Sequence, residues 1–284
     1  YDIVFAQPQR VFGIVGGAGV DQVTLDGVSL DEASLTVNAE AISVTQQGLV
    51  VGSDVVLDAA SVFDPAANGA ALADDLTNLF APIDHHASVT VAGDITADGD
   101  VVLRSTATTV LNLDAQVDQN MVGYQTLDVF ANTTVNGGLS IQANSLSVQS
   151  YIDTSMAVRG GAGVEAVAIE ANQAAHASIS GNTQIDITGD PEEGMGLVVE
   201  AIDRSDIRAR QRSESTDLGS LLSGDSSLSY ANIDLTRATS ATIGDDEGVV
   251  VISGSAENGL GQVQVSAANV STAGSSVRAQ IESG

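Results

Sequence analysis

The sequence predicts an all-β chain wound as a parallel β-helix, a solenoid carrying one short helical insertion. Three observations lead there. A run of apolar residue, any residue, apolar residue, any residue, alanine recurs at Leu35 to Ala39, Leu111 to Ala115, Leu139 to Ala143, Val167 to Ala171, Leu197 to Ala201 and Val263 to Ala267. Such alternation sends one set of side chains to each face of a strand. Longer stretches repeat as well. LTVNAEAISV (Leu35 to Val44) parallels LSIQANSLSV (Leu139 to Val148), ITGDPEEGMG (Ile187 to Gly196) parallels ISGSAENGLG (Ile252 to Gly261), and GGAGVDQVTL (Gly16 to Leu25) parallels GGAGVEAVAI (Gly160 to Ile169). Finally, 43% of the residues are hydrophobic but only 3% are aromatic. The interior must then be filled by small aliphatic side chains, which suits a narrow core of stacked layers.

Short strands separated by Gly, Asn, Asp and Ser fit two all-β architectures. An antiparallel β-sandwich, serving as a fibre subunit joined by strand exchange through residues 1–7, is the alternative. Self-similarity at 20 to 33 residues favours the solenoid. Ten to thirteen turns at a strand spacing of about 4.8 Å would give a rod of roughly 50–60 Å. Three segments are expected: 1–61, strand-rich with the first turns; 62–87, a helical excursion; and 88–284, the main solenoid. The excursion is read from Asp64-Pro65 followed by AANGAALADDLTNLF, with Leu72, Leu76 and Leu79 on one face and Ala81-Pro82 closing it.

Charge narrows the partners. Nine basic residues, all Arg, stand against 37 Asp plus Glu, a net charge of −28. Nucleic acid and anionic membrane surfaces would be repelled. No stretch is long enough to cross a bilayer as a helix. The absence of Lys with excess acid resembles secreted proteins of high-salt habitats, where carboxylates are screened. The chain starts at Tyr1 without Met or a signal-like segment, as expected of a mature product or a piece of something larger.

The cadence of HASISGNTQIDITGD and GLVVEAIDRSDIRARQ (His176 to Gln211), returning in Ser240 to Ile281, resembles the strand-repeat regions of large bacterial exoproteins, the filamentous-haemagglutinin-like adhesins. The resemblance covers 88–284 and, less closely, 20–60. It implies a parallel β-helix, export to the cell surface, and adhesion to a surface glycan or protein receptor or fibre formation, without enzymatic activity.

Candidate sites follow from local chemistry. No cofactor is required; calcium is the ion the acidic turns suit. GGAGVDQVT (Gly16 to Thr24) fits a calcium-binding β-roll nonapeptide with Asp21 as the oxygen donor, and Asp94, Asp98 and Asp100 bracket the turn ITADGD. Asp190, Glu192 and Glu193, and Asp245, Asp246 and Glu247, are further acidic loops. Asp84-His85-His86 is expected in an exposed turn. If it were extended, its adjacent histidines would face opposite ways. Arg208, Arg210 and Arg212 would share one strand face, ion-paired with Asp203, Asp206 and Glu214. The alternative function is a carbohydrate-active β-helix enzyme, a polysaccharide hydrolase or lyase with two carboxylates on one face. Assembly end to end, with identical copies or the rest of a longer chain, is expected through Tyr1, Ile3 and Phe5 at one end and Val277 and Ile281 at the other.

Overall fold

A computed structural model describes residues 8–17, 19–65, 82–115, 121–160, 164–189, 195–213, 230–246, 248–254, 261–270 and 281–283. The chain is a parallel β-helix with three strands per coil. Coil 1 contains β1 (Val11–Val15), β2 (Gln22–Leu25) and β3 (Val28–Leu30). Coil 2 contains β4 (Ser34–Ala39), β5 (Ala41–Val44) and β6 (Leu49–Val51), and coil 3 β7 (Val55–Phe63), β8 (Ile83–Val91) and β9 (Ile95–Ala97). Coil 4 contains β10 (Val101–Ala115), β11 (Met121–Val135) and β12 (Ser140–Ala143), and coil 5 β13 (Leu146–Gly160), β14 (Val164–Ile179) and β15 (Gln184–Ile187). Coil 6 contains β16 (Met195–Ser213), β17 (Tyr230–Ile243) and β18 (Val251–Gly254). A seventh coil adds β19 (Gln262–Val270) and β20 (Ile281–Ser283), both paired to β16.

The first strand of every coil joins sheet A, the second sheet B and the third sheet C. Every strand pairing is parallel, and the one antiparallel contact among the described residues is the isolated bridge Asp245–Gly248. The sandwich alternative is thereby excluded. Coils are fewer and longer than the expected ten to thirteen. Val55 pairs with Val101, Val101 with Leu146, and Leu146 with Leu197, offsets of 46, 45 and 51 residues. Only Leu35–Val55, an offset of 20, matches the short repeat.

The reason is a flare. Strands of sheet A lengthen from five residues in β1 to 19 in β16, and those of sheet B from four in β2 to 16 in β14. Sheet C keeps three to four residues throughout. Register shows where the growth occurs. Leu35, Val55, Val101, Leu146, Leu197 and Val263 align at the corner between C and A, while Val44, Val91, Val135, Ile179 and Ile243 align at the corner between B and C. Those two corners stay fixed and the A–B corner moves outward. Coils 4 to 6 therefore carry a two-layer wing attached to a triangular core.

Inward side chains form ladders along the axis. Leu35, Val55, Val101, Leu146 and Leu197 are all fully buried, as are Val37, Leu57, Leu103, Val148 and Val199 beside them. Each such side chain contributes about 1.5–3 kcal/mol of burial free energy. The helical excursion over 62–87 falls mostly on 66–81, outside the described residues; Val62 and Phe63 end β7, and Ile83 to Ala87 begin β8.

Corners are held by close backbone approach and by carboxylates. Gly48 turns the B–C corner at φ +70°, and Gly93 stacks above it. A Cβ on Gly93 would lie 2.0 Å from the Thr45 carbonyl oxygen, a rigid backbone atom. Gly93→Ala should therefore lower stability by about 1–3 kcal/mol in urea denaturation. Gly13→Ala, whose new Cβ meets nothing within 4 Å, should stay within about 0.5 kcal/mol of the parent.

Candidate functional site

The four aspartates read as calcium ligands do not converge. Asp94 lies at the B–C corner and Asp98 and Asp100 at the C–A corner, at opposite ends of β9. Asp94 and Asp98 are thus about 13 Å apart along an extended chain. Asp94 accepts a hydrogen bond from the Ser140 amide (2.7 Å), and Asp100 accepts one from the Ser145 hydroxyl (2.8 Å), each in the next coil. Asp54 accepts from the Asp100 amide (3.0 Å), and Asp245 from the Gly181 amide (3.0 Å). These carboxylates staple one coil to the next. Asp21 stands in the β1–β2 corner, its amide donating to Glu40 (2.7 Å) and its Oδ2 buried without a hydrogen-bond partner. Among the described residues no three acidic or histidine side chains gather as a metal group. Asp190, Glu192, Glu193 and Glu247 lie outside the described residues, as do Tyr1, Ile3, Phe5 and Val277; Ile281 opens β20.

Asp84-His85-His86 is not an exposed turn but part of β8, because the B strand of coil 3 runs on past the core into the wing. His86 faces out, pairs with Asp84 and stacks on Phe130 with ring centroids 4.8 Å apart. His85 faces in. Its Nδ1 lies 3.1 Å from the Ser61 hydroxyl and its Nε2 2.7 Å from the Thr109 hydroxyl. Burial, reinforced by the neighbouring His86, pushes its pKa down to about 4. A neutral imidazole therefore bridges coils 3 and 4.

His85 begins a polar seam inside the neck where wing meets core. Farther along, the Gln173 amide donates to Thr154 (2.7 Å), and the Ser205 hydroxyl lies 2.7 Å from the Gln173 carbonyl oxygen and 2.6 Å from Asp203. Asp203, fully buried, sits 3.5 Å from Arg237. Burial raises its pKa against the opposing pull of Ser205 and Arg237. The expected pairing of Asp203 with the Arg208 ladder is thus replaced: Asp203 points inward and Asp206 outward, and Arg208 pairs with Asp206 (2.5 Å). Arg208 and Arg210 do share the outer face of β16. Glu214 and the side chain of Arg212 lie outside the described residues.

The largest recess among the described residues is an open groove of about 580 Å³ on the outer face of sheet A. Arg104, Thr106, Thr108, Tyr151, Asp153 and Glu200 line it, with Ile202 and Arg204. Arg104 is locked by a bidentate pair with Asp58 (2.9 and 2.6 Å). Tyr151 donates to Glu200 (2.6 Å); burial, with this hydrogen bond, lifts the phenol well above its usual pKa. The exposed Arg204 faces Asp153 across the strands. Asp153 and Glu200 are offset by four residues in register, about 13 Å, beyond the roughly 5–9.5 Å that glycoside hydrolysis requires. Sequence reading passed over Asp58, Arg104, Tyr151 and Glu200. Their signal is the 45-to-51-residue register, which is legible only once the flare is known.

Because His85 is held neutral, folding favours the deprotonated form. Its contribution is complete above about pH 6.5 and is lost as pH falls through about 4. Comparing urea midpoints of the parent and His85→Gln across that window should show a loss of about 1–2 kcal/mol specific to the parent, after allowance for partial solvent screening. Comparison of the chain with family models, with curated proteins and with solved structures finds no match.

Proposed function

We propose that this chain is a non-enzymatic structural or adhesive element of the cell surface, a β-solenoid segment that serves as a rigid rod in a larger extracellular assembly. The observation that carries the reading is the continuity of the three parallel ladders, which run through every coil and leave open strand edges at both ends among the described residues. Such edges are templates for further pairing. The acidic surface suits a protein working outside the cell near cations rather than nucleic acid.

The groove on sheet A is the adhesive contact in this reading. It presents a tyrosine and arginines on an otherwise acidic molecule, and its carboxylates are committed to Arg104 and Tyr151 or stand too far apart for hydrolysis. A surface glycan or protein receptor is the partner it fits. Tyr151→Ala combined with Arg204→Ala should reduce binding to cell-surface glycans at least tenfold in an array or surface-plasmon measurement without changing the melting temperature by more than a few degrees. Cleavage of any polysaccharide in that panel, at a rate that depends on these residues, would overturn the non-enzymatic reading. Electron microscopy of the native material should show slender rods; isolated compact particles would argue against a structural role.

A further inference from the structure

We propose that two copies of this chain join wide end to wide end across a two-fold axis, the β19 edge of each pairing antiparallel with the β17 edge of the other. The inference rests on reading the open coils as joining surfaces, and adds which end joins and to what.

The core is cut open at the wide end. The ladder from Leu35 to Leu197 is fully buried, yet its next member, Val263, is 40% exposed; Val265 continues the Val37 to Val199 ladder at 48%. Ile233, Leu235, Ala241 and Ile243 on β17 and Ile252 on β18 are only half-buried although they face the core. β17 pairs only with β14, β18 only with β15 and β19 only with β16, so each keeps one free edge.

Width decides the occupant. A head-to-tail copy would bring β1 and β2, of five and four residues. In register these reach only Val263 to Ser266 and Ser240 to Ile243, leaving Ile233, Leu235 and Arg237 open. Only another wide coil covers the wing. The second copy's own wide end has that width.

Height agrees. A coil climbing about 4.8 Å per turn leaves the sheet A edge highest, with C about one third and B about two thirds of that rise below it. Sheet A has one strand layer more than B or C. A two-fold rotation that sets A against the partner's B and C against the partner's C makes all three separations equal. Such an interface is self-complementary and closes after two copies.

Register then carries chemistry. With the fixed corners superposed, the partner's β19 crosses β17 so that Val263 meets Ile243, Val265 meets Ala241, Ala267 meets Thr239 and Asn269 meets Arg237. The Arg237 Nε and Asp203 Oδ2 are buried without hydrogen-bond partners in the single chain. An unsatisfied buried polar atom costs about 1–3 kcal/mol. A carboxamide oxygen arriving over Arg237 supplies the acceptor that its Nε lacks.

The chain has no cysteine, so single-cysteine variants report the geometry cleanly. Ala241→Cys chains mixed with Val265→Cys chains should give a heterodimeric disulfide under mild oxidation, and the parent should run as a dimer in light scattering. Raising salt from about 20 to 500 mM should tighten that dimer at least tenfold, because two chains of −28 repel. Asn269→Leu should weaken it tenfold or more with monomer stability unchanged. A disulfide between Phe12→Cys and Val263→Cys chains would mean head-to-tail stacking and would overturn the proposal, as would a monomer at all salt and protein concentrations. An adhesive chain that stays monomeric sinks the dimer alone, whereas a dimer that degrades glycans sinks the structural reading and leaves the dimer standing.

Discussion

The molecule depends on one constraint: equivalent inward side chains of successive coils must lie directly above one another, about 4.8 Å apart. A parallel ladder has no turn of its own to fix register, so the side-chain stack fixes it. Leu35, Val55, Val101, Leu146 and Leu197 satisfy the constraint at one corner, and Val44, Val91, Val135, Ile179 and Ile243 at another. With both corners fixed, length can vary only between A and B. The wing is the result, and coils of 20 and 51 residues share one axis.

Polar residues enter the interior where the wing leaves the core, and each finds a partner in a neighbouring layer. Thr133 stands in an apolar ladder between Val89 and Ala177, yet its hydroxyl reaches Ser105 (2.9 Å) and the Gln149 carbonyl (2.7 Å). Ser105 in turn meets Ser150 at 3.0 Å, and Ser150 donates to the His176 carbonyl (2.6 Å). Buried hydroxyls of this kind cost little once paired and penalise slippage, since a shifted layer would leave them orphaned. The same logic governs the corner carboxylates. Much of the acid that reads as ion-binding in the sequence is spent on amides and hydroxyls one coil away.

The fold class was legible because alternation and small aliphatic composition survive in every strand. The period was not, and the repeated segments show why. LTVNAEAISV spans the A–B corner of coil 2, whereas LSIQANSLSV spans the C–A corner of coil 4. Their likeness is that of a strand, an alanine and a bend, so their separation measures no coil. GGAGVDQVTL and GGAGVEAVAI do occupy the same corner, in coils 1 and 5, but the corner has moved outward between them: Leu25 stacks toward Ile179 rather than Ile169. His85 was misplaced for the same reason, since nothing local to Asp84-His85-His86 tells that its strand has been extended. The groove was illegible because Arg104, Tyr151 and Glu200 become neighbours only through register across coils 4 to 6.

The flare also makes the solenoid mechanically graded. β1 meets β4 over five residue pairs, while β13 meets β16 over fifteen. Tension along the axis loads every layer equally, but the layers do not share strength equally. Under pull the slender coils would peel away one by one while the broad coils held, so the taper acts as a built-in fuse that yields at one extremity and spares the other.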